Sequence, residues 1–325
     1  MRDHPPDDPI GGIRPRAGMS VESLVDAFGE CGFSAATLAE AADITARMFA
    51  DDGCTVVLSL AGALVPAGLR PAVADVIRHG HVDALVTTGA SLTHDTIEAV
   101  GGRHHHGEAH PTDGSQREHD EALRDAGVDR IYNVYLPQEH FATLESHCWE
   151  RVFPDLEGEP VSIAEVTRRL GEANREAHEG DEPGIAAAAA AAAVPVFCPA
   201  IQDSILGLQA WLYSRTHDFA IDALRDMTDL TDVGTAGDRA GALLVGGGVP
   251  KNFTLQSQLV TPGAYDYAVQ ITMDPEVTGG LSGASLDEAR SWGKLEPDAE
   301  NVTVHGDAMV ALPLVLAAVY DRLAA

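Results

Sequence analysis

The chain has 325 residues, 45% of them hydrophobic, and a formal net charge of −29 at pH 7. That is long and apolar enough for a well-filled core, and the acidic residues are spread along the chain, which excludes a disordered acidic tail and leaves no basic stripe to bind nucleic acid. Lys251 and Lys294 are its two lysines, a purge that, with so much negative charge, suits a halophile's cytosol, where molar salt shortens the Debye length to about 3 Å and screens self-repulsion.

Met1 to Ser20 reads as a mobile arm that lacks the apolar core of a signal peptide, and no later run has the length of a membrane span, so a cytoplasmic protein is expected. Residues 21–325 read as a single domain. Val21 to Ala50 is helical with a break at Gly29 to Gly32. Short β-branched runs then alternate with helical stretches: Cys54 to Leu60, Val82 to Thr88, Val194 to Phe197, Ala242 to Val245, Tyr267 to Thr272 and Val302 to His305. Such alternation predicts an α/β fold, a doubly wound, mostly parallel sheet with helices on both faces. Several of these strands run into small or turn-forming residues, among them Thr88-Gly89-Ala90, Gly246-Gly247-Gly248 and Gly306-Asp307-Ala308. Ligands of open α/β sheets bind at such carboxyl ends.

Ala186 to Ala193 predicts a helix against the sheet, stopped at Val194-Pro195. His104, His105, His106 and His110 lie in a glycine-flanked loop without the i, i+4 spacing or partner carboxylate of a metal site, so no metal is expected. The four cysteines have neither zinc-ligand nor disulfide-framework spacing.

Where lysine is so scarce, Lys294 is a candidate for work that arginine cannot do, because a buried lysine loses its proton and attacks carbon. Trp292 beside it offers an apolar wall and a π-face for a cation, and Glu288 a carboxylate to anchor an amine. The three together suit imine chemistry on an amine. The triple glycine ending in Val249-Pro250-Lys251-Asn252 lets backbone N–H groups approach a pyrophosphate or ribose, although it equally reads as a tight strand-to-loop turn.

Motifs along nearly the whole chain resemble the deoxyhypusine synthase family. They include Val82-Asp83-Ala84-Leu85-Val86-Thr87-Thr88, Arg130-Ile131-Tyr132-Asn133, the triple glycine, Asp266-Tyr267-Ala268-Val269, and Gly283-Ala284 through Asp287-Glu288-Ala289 to Ser291-Trp292-Gly293-Lys294, followed by Asp307-Ala308. The resemblance implies a homotetramer of Rossmann-like subunits that uses NAD to move a butylamine unit from a polyamine to an enzyme lysine and on to a lysine of translation initiation factor 5A. On that basis Lys294 is the covalent lysine. Thr88, Gly89, Ala90, Asp203, Gly247, Asp307 and Ala308 are expected to line NAD, and Glu288, Trp292 and Asn252 the amine.

The chain departs from the family pattern in the amine pocket. Asn252 stands for a histidine, Leu208 and Leu281 for aspartates, and Thr93 and His94 for two glutamates. The early strand-end loop, Leu60-Ala61-Gly62-Ala63, lacks the family's Ser and Asn. Fewer carboxylates suit a donor of lower charge than spermidine, and agmatine fits: one ammonium, and one planar guanidinium that stacks on an aromatic ring and pairs with a carboxylate. A homospermidine synthase-like transfer to a small amine and a non-catalytic NAD-binding protein are the alternative readings.

Overall fold

The computed structural model describes residues 9–111 and 114–324, so the first eight residues of the arm lie outside it. The first two helices are Val21–Gly29, capped by Ser20 whose Oγ accepts the Ser23 N–H, and Phe33–Ala50, with Gly29 to Gly32 forming the bend between them. Leu38, Ala41, Ala42, Thr45 and Met48 recur at helical spacing and are the buried stripe of the longer one.

The strands are β1 (Cys54–Leu60), β2 (Ala84–Thr87), β3 (His105–His106), β4 (Val128–Ile131), β5 (Val134–Pro137), β6 (Val196–Phe197), β7 (Arg239–Val245), β8 (Tyr265–Thr272) and β9 (Leu295–His305). Six of them form a parallel sheet in the order β6-β2-β1-β7-β8-β9. The chain runs outward in one direction from β1 to β2 and β6, and in the other from β7 to β8 and β9. The order therefore reverses between β1 and β7, where a doubly wound sheet opens a crevice at its carboxyl ends.

Alternation along the strands supplies two cores. Val56, Leu58 and Leu60 of β1 belong to one, with Met48 and with Val315 and Val319 of the C-terminal helix Ala308–Ala324. Val57 belongs to the other, with Leu255 of helix Gly248–Ser257 and Leu286 of helix Leu286–Ser291.

Three features differ from the sequence expectation. β9 begins at Leu295, not Val302, pairing with β8 across an irregularity at Tyr265 to Tyr267. β3, β5 and β4 make a second, antiparallel sheet, which short runs such as His105–His106 do not announce. The alanine helix, Ile185–Ala191, has as its main neighbours the helices Ile163–Ala177 and Arg70–Arg78 in place of the sheet. Gly171 makes that approach possible, since a Cβ there would come 2.1 Å from the Ala186 carbonyl oxygen.

The N-terminus of that helix is held by Asp95. Its carboxylate accepts the N–H groups of Ile185 at 2.8 Å and Ala186 at 2.9 Å and the Nε of Arg70 at 2.7 Å. Asp95 is fully buried, and burial raises its pKa against the pull of Arg70 and the two amides.

Candidate active site

A cleft of about 500 Å³ crosses the carboxyl ends of the sheet. Thr88 comes from the end of β2, Asp203 from the loop after β6, Gly247 from the end of β7, and Asp307 and Ala308 from the end of β9. These five of the expected cofactor residues are together on its lining. Ala61 and Gly62 line it as well, so the loop after β1 faces the cleft without offering a side-chain hydrogen bond.

The glycine turn shapes the floor. Gly246 has φ +78° and a Cβ there would lie 2.5 Å from the Ala61 carbonyl oxygen, while Gly248 has φ +62°. Only glycine adopts this path without strain. Helix Gly248–Ser257 then starts without a side-chain cap, and its N-terminus is at the cleft. Thr88 caps helix Gly89–Ala99 by accepting the Ser91 N–H at 3.2 Å, and Asp307 Oδ1 accepts the Met309 N–H at 2.9 Å. Three helix starts thus meet the same crevice, alongside the carboxylates of Asp203, Asp274 and Asp307.

Gly89 and Ala90 do not belong to this lining. Gly89 is needed for helix packing, because a Cβ there would lie 2.2 Å from Ser204 Oγ. Thr93, one turn on, is also buried; its Oγ1 donates to the Gly89 carbonyl at 2.8 Å and accepts the Leu206 N–H at 3.1 Å.

A second cleft, of about 280 Å³, lies between helix Gly248–Ser257 and the segment running from Leu281 to Lys294. Lys294, Glu288, Trp292 and Asn252 all line it. Lys294 immediately precedes β9, away from the strand carboxyl ends, yet its Nζ is 5.7 Å from the centre of the Trp292 ring. Burial lowers the Lys294 pKa, and Glu288 opposes the shift. A partly desolvated lysine beside an aromatic face and a carboxylate can form an imine.

Sequence reasoning passed over two residues here. Ser282 separates the clefts: its Oγ accepts the Gly248 N–H at 3.0 Å, and a Cβ on Gly247 would lie 2.4 Å from its Cβ. Lys251 is buried in the lining of the second cleft. Its signal was available, since the scarcity that singled out Lys294 applies equally to the other lysine.

Leu208 is exposed and lines neither cleft. The histidine-rich loop is partly structural. His104 Nδ1 donates to Glu98 Oε1 at 2.6 Å, its Nε2 is hydrogen-bonded to His94 Nδ1 at 2.9 Å, and His105 and His106 form β3. Burial pushes His94 down to about 4, with the neighbouring His104 adding to the shift. Among the described residues no group of three or more His, Cys, Asp or Glu is arranged to hold a metal ion, and no helix is long and apolar enough to cross a membrane.

A doubly wound α/β sheet with a cleft across its strand ends, and a groove holding a lysine, an aromatic ring and a carboxylate that shares one wall with it, defines a Rossmann-like fold with a candidate active site. The family model for deoxyhypusine synthase matches residues 23–319. The chain is 47% identical over 315 residues to a Methanosarcina acetivorans protein named probable deoxyhypusine synthase 1, covering 97% of this chain and 95% of the relative. It is 41% identical to an Archaeoglobus fulgidus protein of the same name, covering 94% and 95%. The chain belongs to the deoxyhypusine synthase family, a family of transferases. Its fold is shared with a crystal structure of an Entamoeba histolytica protein assigned to deoxyhypusine synthase, with a TM-score of 0.60, 18% identity and 94% coverage of both chains.

Proposed function

We propose that the chain catalyses deoxyhypusine synthesis: NAD-dependent transfer of an aminobutyl or guanidinobutyl group from an amine donor, through an imine on Lys294, to a lysine of translation initiation factor 5A. The observation that carries this reading is the gathering of Lys294, Glu288 and Trp292 in one groove that shares the Leu281–Ala284 wall with the strand-end cleft. Thr88, Asp203, Gly247, Asp307 and Ala308 would hold NAD, with the glycine turn giving its pyrophosphate close access to backbone N–H groups. Bound there, NAD would supply the acceptor for a hydride from the carbon beside a donor nitrogen, and its reduced form the hydride for the final reduction.

Glu288 anchors the donor's cationic end and Trp292 packs on its chain. The neutral Nζ of Lys294 attacks the oxidised carbon, a bond forms from nitrogen to carbon, and the donor's remaining fragment leaves as an amine. The acceptor lysine then displaces Lys294 by the same addition and elimination, and the new imine is reduced.

A homotetramer is part of the proposal. Exposed Trp292, Leu281 and Leu259 rim the lysine groove, and Val249 and Met273 the strand-end cleft, so a second copy would cover apolar surface and close both sites.

The test is incubation of the purified chain with NAD, donor labelled in its four-carbon unit, and initiation factor 5A. Label on the factor's lysine is expected. Label passing to a small amine while the factor stays unlabelled would replace this reading with the homospermidine synthase type.

A further inference from the structure

Lys251 stands in the first turn of helix Gly248–Ser257 and is 2% exposed. Its Nζ donates to the carbonyl oxygens of Leu281 at 3.1 Å and Ala284 at 2.6 Å. The turn between those two carbonyls is the wall common to both clefts: Ser282 faces the strand ends, while Leu281 and Ala284 face the groove of Lys294. From its other side the same turn is tied by the Gly248 N–H to Ser282 Oγ and by Gln270 Nε2 to the Ser282 carbonyl at 2.8 Å. A methionine or leucine would fill this volume without desolvating a charge, and the chain has otherwise almost eliminated lysine.

We propose that Lys251 is a positioning residue for the transfer reaction: its ammonium clamps the Leu281–Ala284 turn and so fixes the wall against which both cofactor and amine donor seat. The inference rests on the deoxyhypusine synthase reading for the identity of the two ligands. Burial pushes Lys251 down to about 8, with Glu288 across the groove opposing the shift and the Lys294 ammonium adding to it. The charged groups facing it are therefore Glu288 and Lys294, and its hydrogen-bond partners are neutral carbonyls. The clamp is charged at neutral pH and loses its proton a little above it.

The experiment uses the full chain and Lys251→Met. NAD affinity is measured without donor from pH 7 to 9.5, and steady-state transfer is measured at pH 7. In the wild type, NAD affinity is expected to weaken through pH 8 by about tenfold, the loss that a charge-assisted hydrogen bond implies. In Lys251→Met it is expected to be weak throughout and flat with pH, with the KM for NAD and for the amine each raised about tenfold and kcat less affected. Wild-type NAD affinity and wild-type KM values in Lys251→Met overturn the clamp, and Lys251→Gln, which keeps a neutral donor, decides the matter by the same readouts if the Met variant fails to fold. Loss of kcat with both KM values intact, the mark of a smaller folded fraction, also overturns it. If the wild type shows no amine-dependent NADH formation but the affinity behaves as described, the deoxyhypusine reading falls and the clamp stands.

Discussion

The Nζ of Lys294 lies 5.7 Å from the centre of the Trp292 ring, two residues away in sequence. The tight turn through Gly293, at φ +71°, brings them together and leaves the ammonium over an aromatic face with Glu288 as the carboxylate of the same groove. The first three predictions concern this arrangement.

Lys294→Arg keeps the charge and cannot form an imine, so transfer should fall to background while the fold is preserved. Borohydride reduction of the wild type with NAD and donor should fix the four-carbon unit to Lys294. An adduct mapped by mass spectrometry to another residue would falsify the assignment.

Burial holds the Lys294 pKa below its usual value, so more neutral amine is present at a given pH than in a free lysine, and kcat should climb as pH rises through the lowered pKa. Glu288 favours the ammonium. Glu288→Gln should therefore move the rising limb of the kcat profile to lower pH, while raising the amine KM. A limb that moves to higher pH contradicts the electrostatic account.

Among the described residues Glu288 is the one carboxylate lining the groove, against the ammonium groups of Lys251 and Lys294. Spermidine brings three cationic nitrogens, and an unpaired buried charge is costly. Agmatine brings one ammonium and a weakly hydrated guanidinium that stacks on Trp292. We expect kcat/KM for agmatine to exceed that for spermidine by about tenfold or more, the equivalent of one poorly paired charge, giving a guanidinobutyl-lysine that a separate hydrolase must process. Side-by-side kinetics on one acceptor decide it, and a preference for spermidine removes the idea.

Asp95 links Arg70 to the start of helix Ile185–Ala191. Asp95→Ala leaves two helix N–H groups unpaired and takes from Arg70 its nearest carboxylate, while Glu98 at 3.8 Å and the Glu182 and Pro183 carbonyls remain beside the guanidinium, and it should cost about 3 kcal/mol of stability. Denaturant unfolding in molar salt measures this, and a loss under about 1 kcal/mol would show that the clamp is replaceable.

With a net charge of −29, assembly and activity should be greatest near molar KCl and decline in dilute buffer, where repulsion between acidic subunits acts over a Debye length of about 10 Å at 0.1 M. Sedimentation across a salt series checks it. An assembly indifferent to salt would refute the high-salt reading.

The sequence by itself determined what local pattern and composition encode. Cys54–Leu60 is the strand its β-branched run announces, the bend at Gly29 to Gly32 falls between two helices, and the turns after β2, β7 and β9 open on one cleft. Lysine scarcity, with Trp292 and Glu288 close by in the chain, made Lys294 a candidate. Tertiary structure decided what depends on residues distant in the chain. Helical packing against Ser204 explains Gly89, and the approach of Ala186 explains Gly171. Lys251 acquires its role from carbonyls 30 and 33 positions away. Periodicity and turn chemistry act over a few residues and can be read in order, whereas a carbonyl is present in every residue. Which carbonyl meets a buried ammonium is set only when the sheet and its helices have packed.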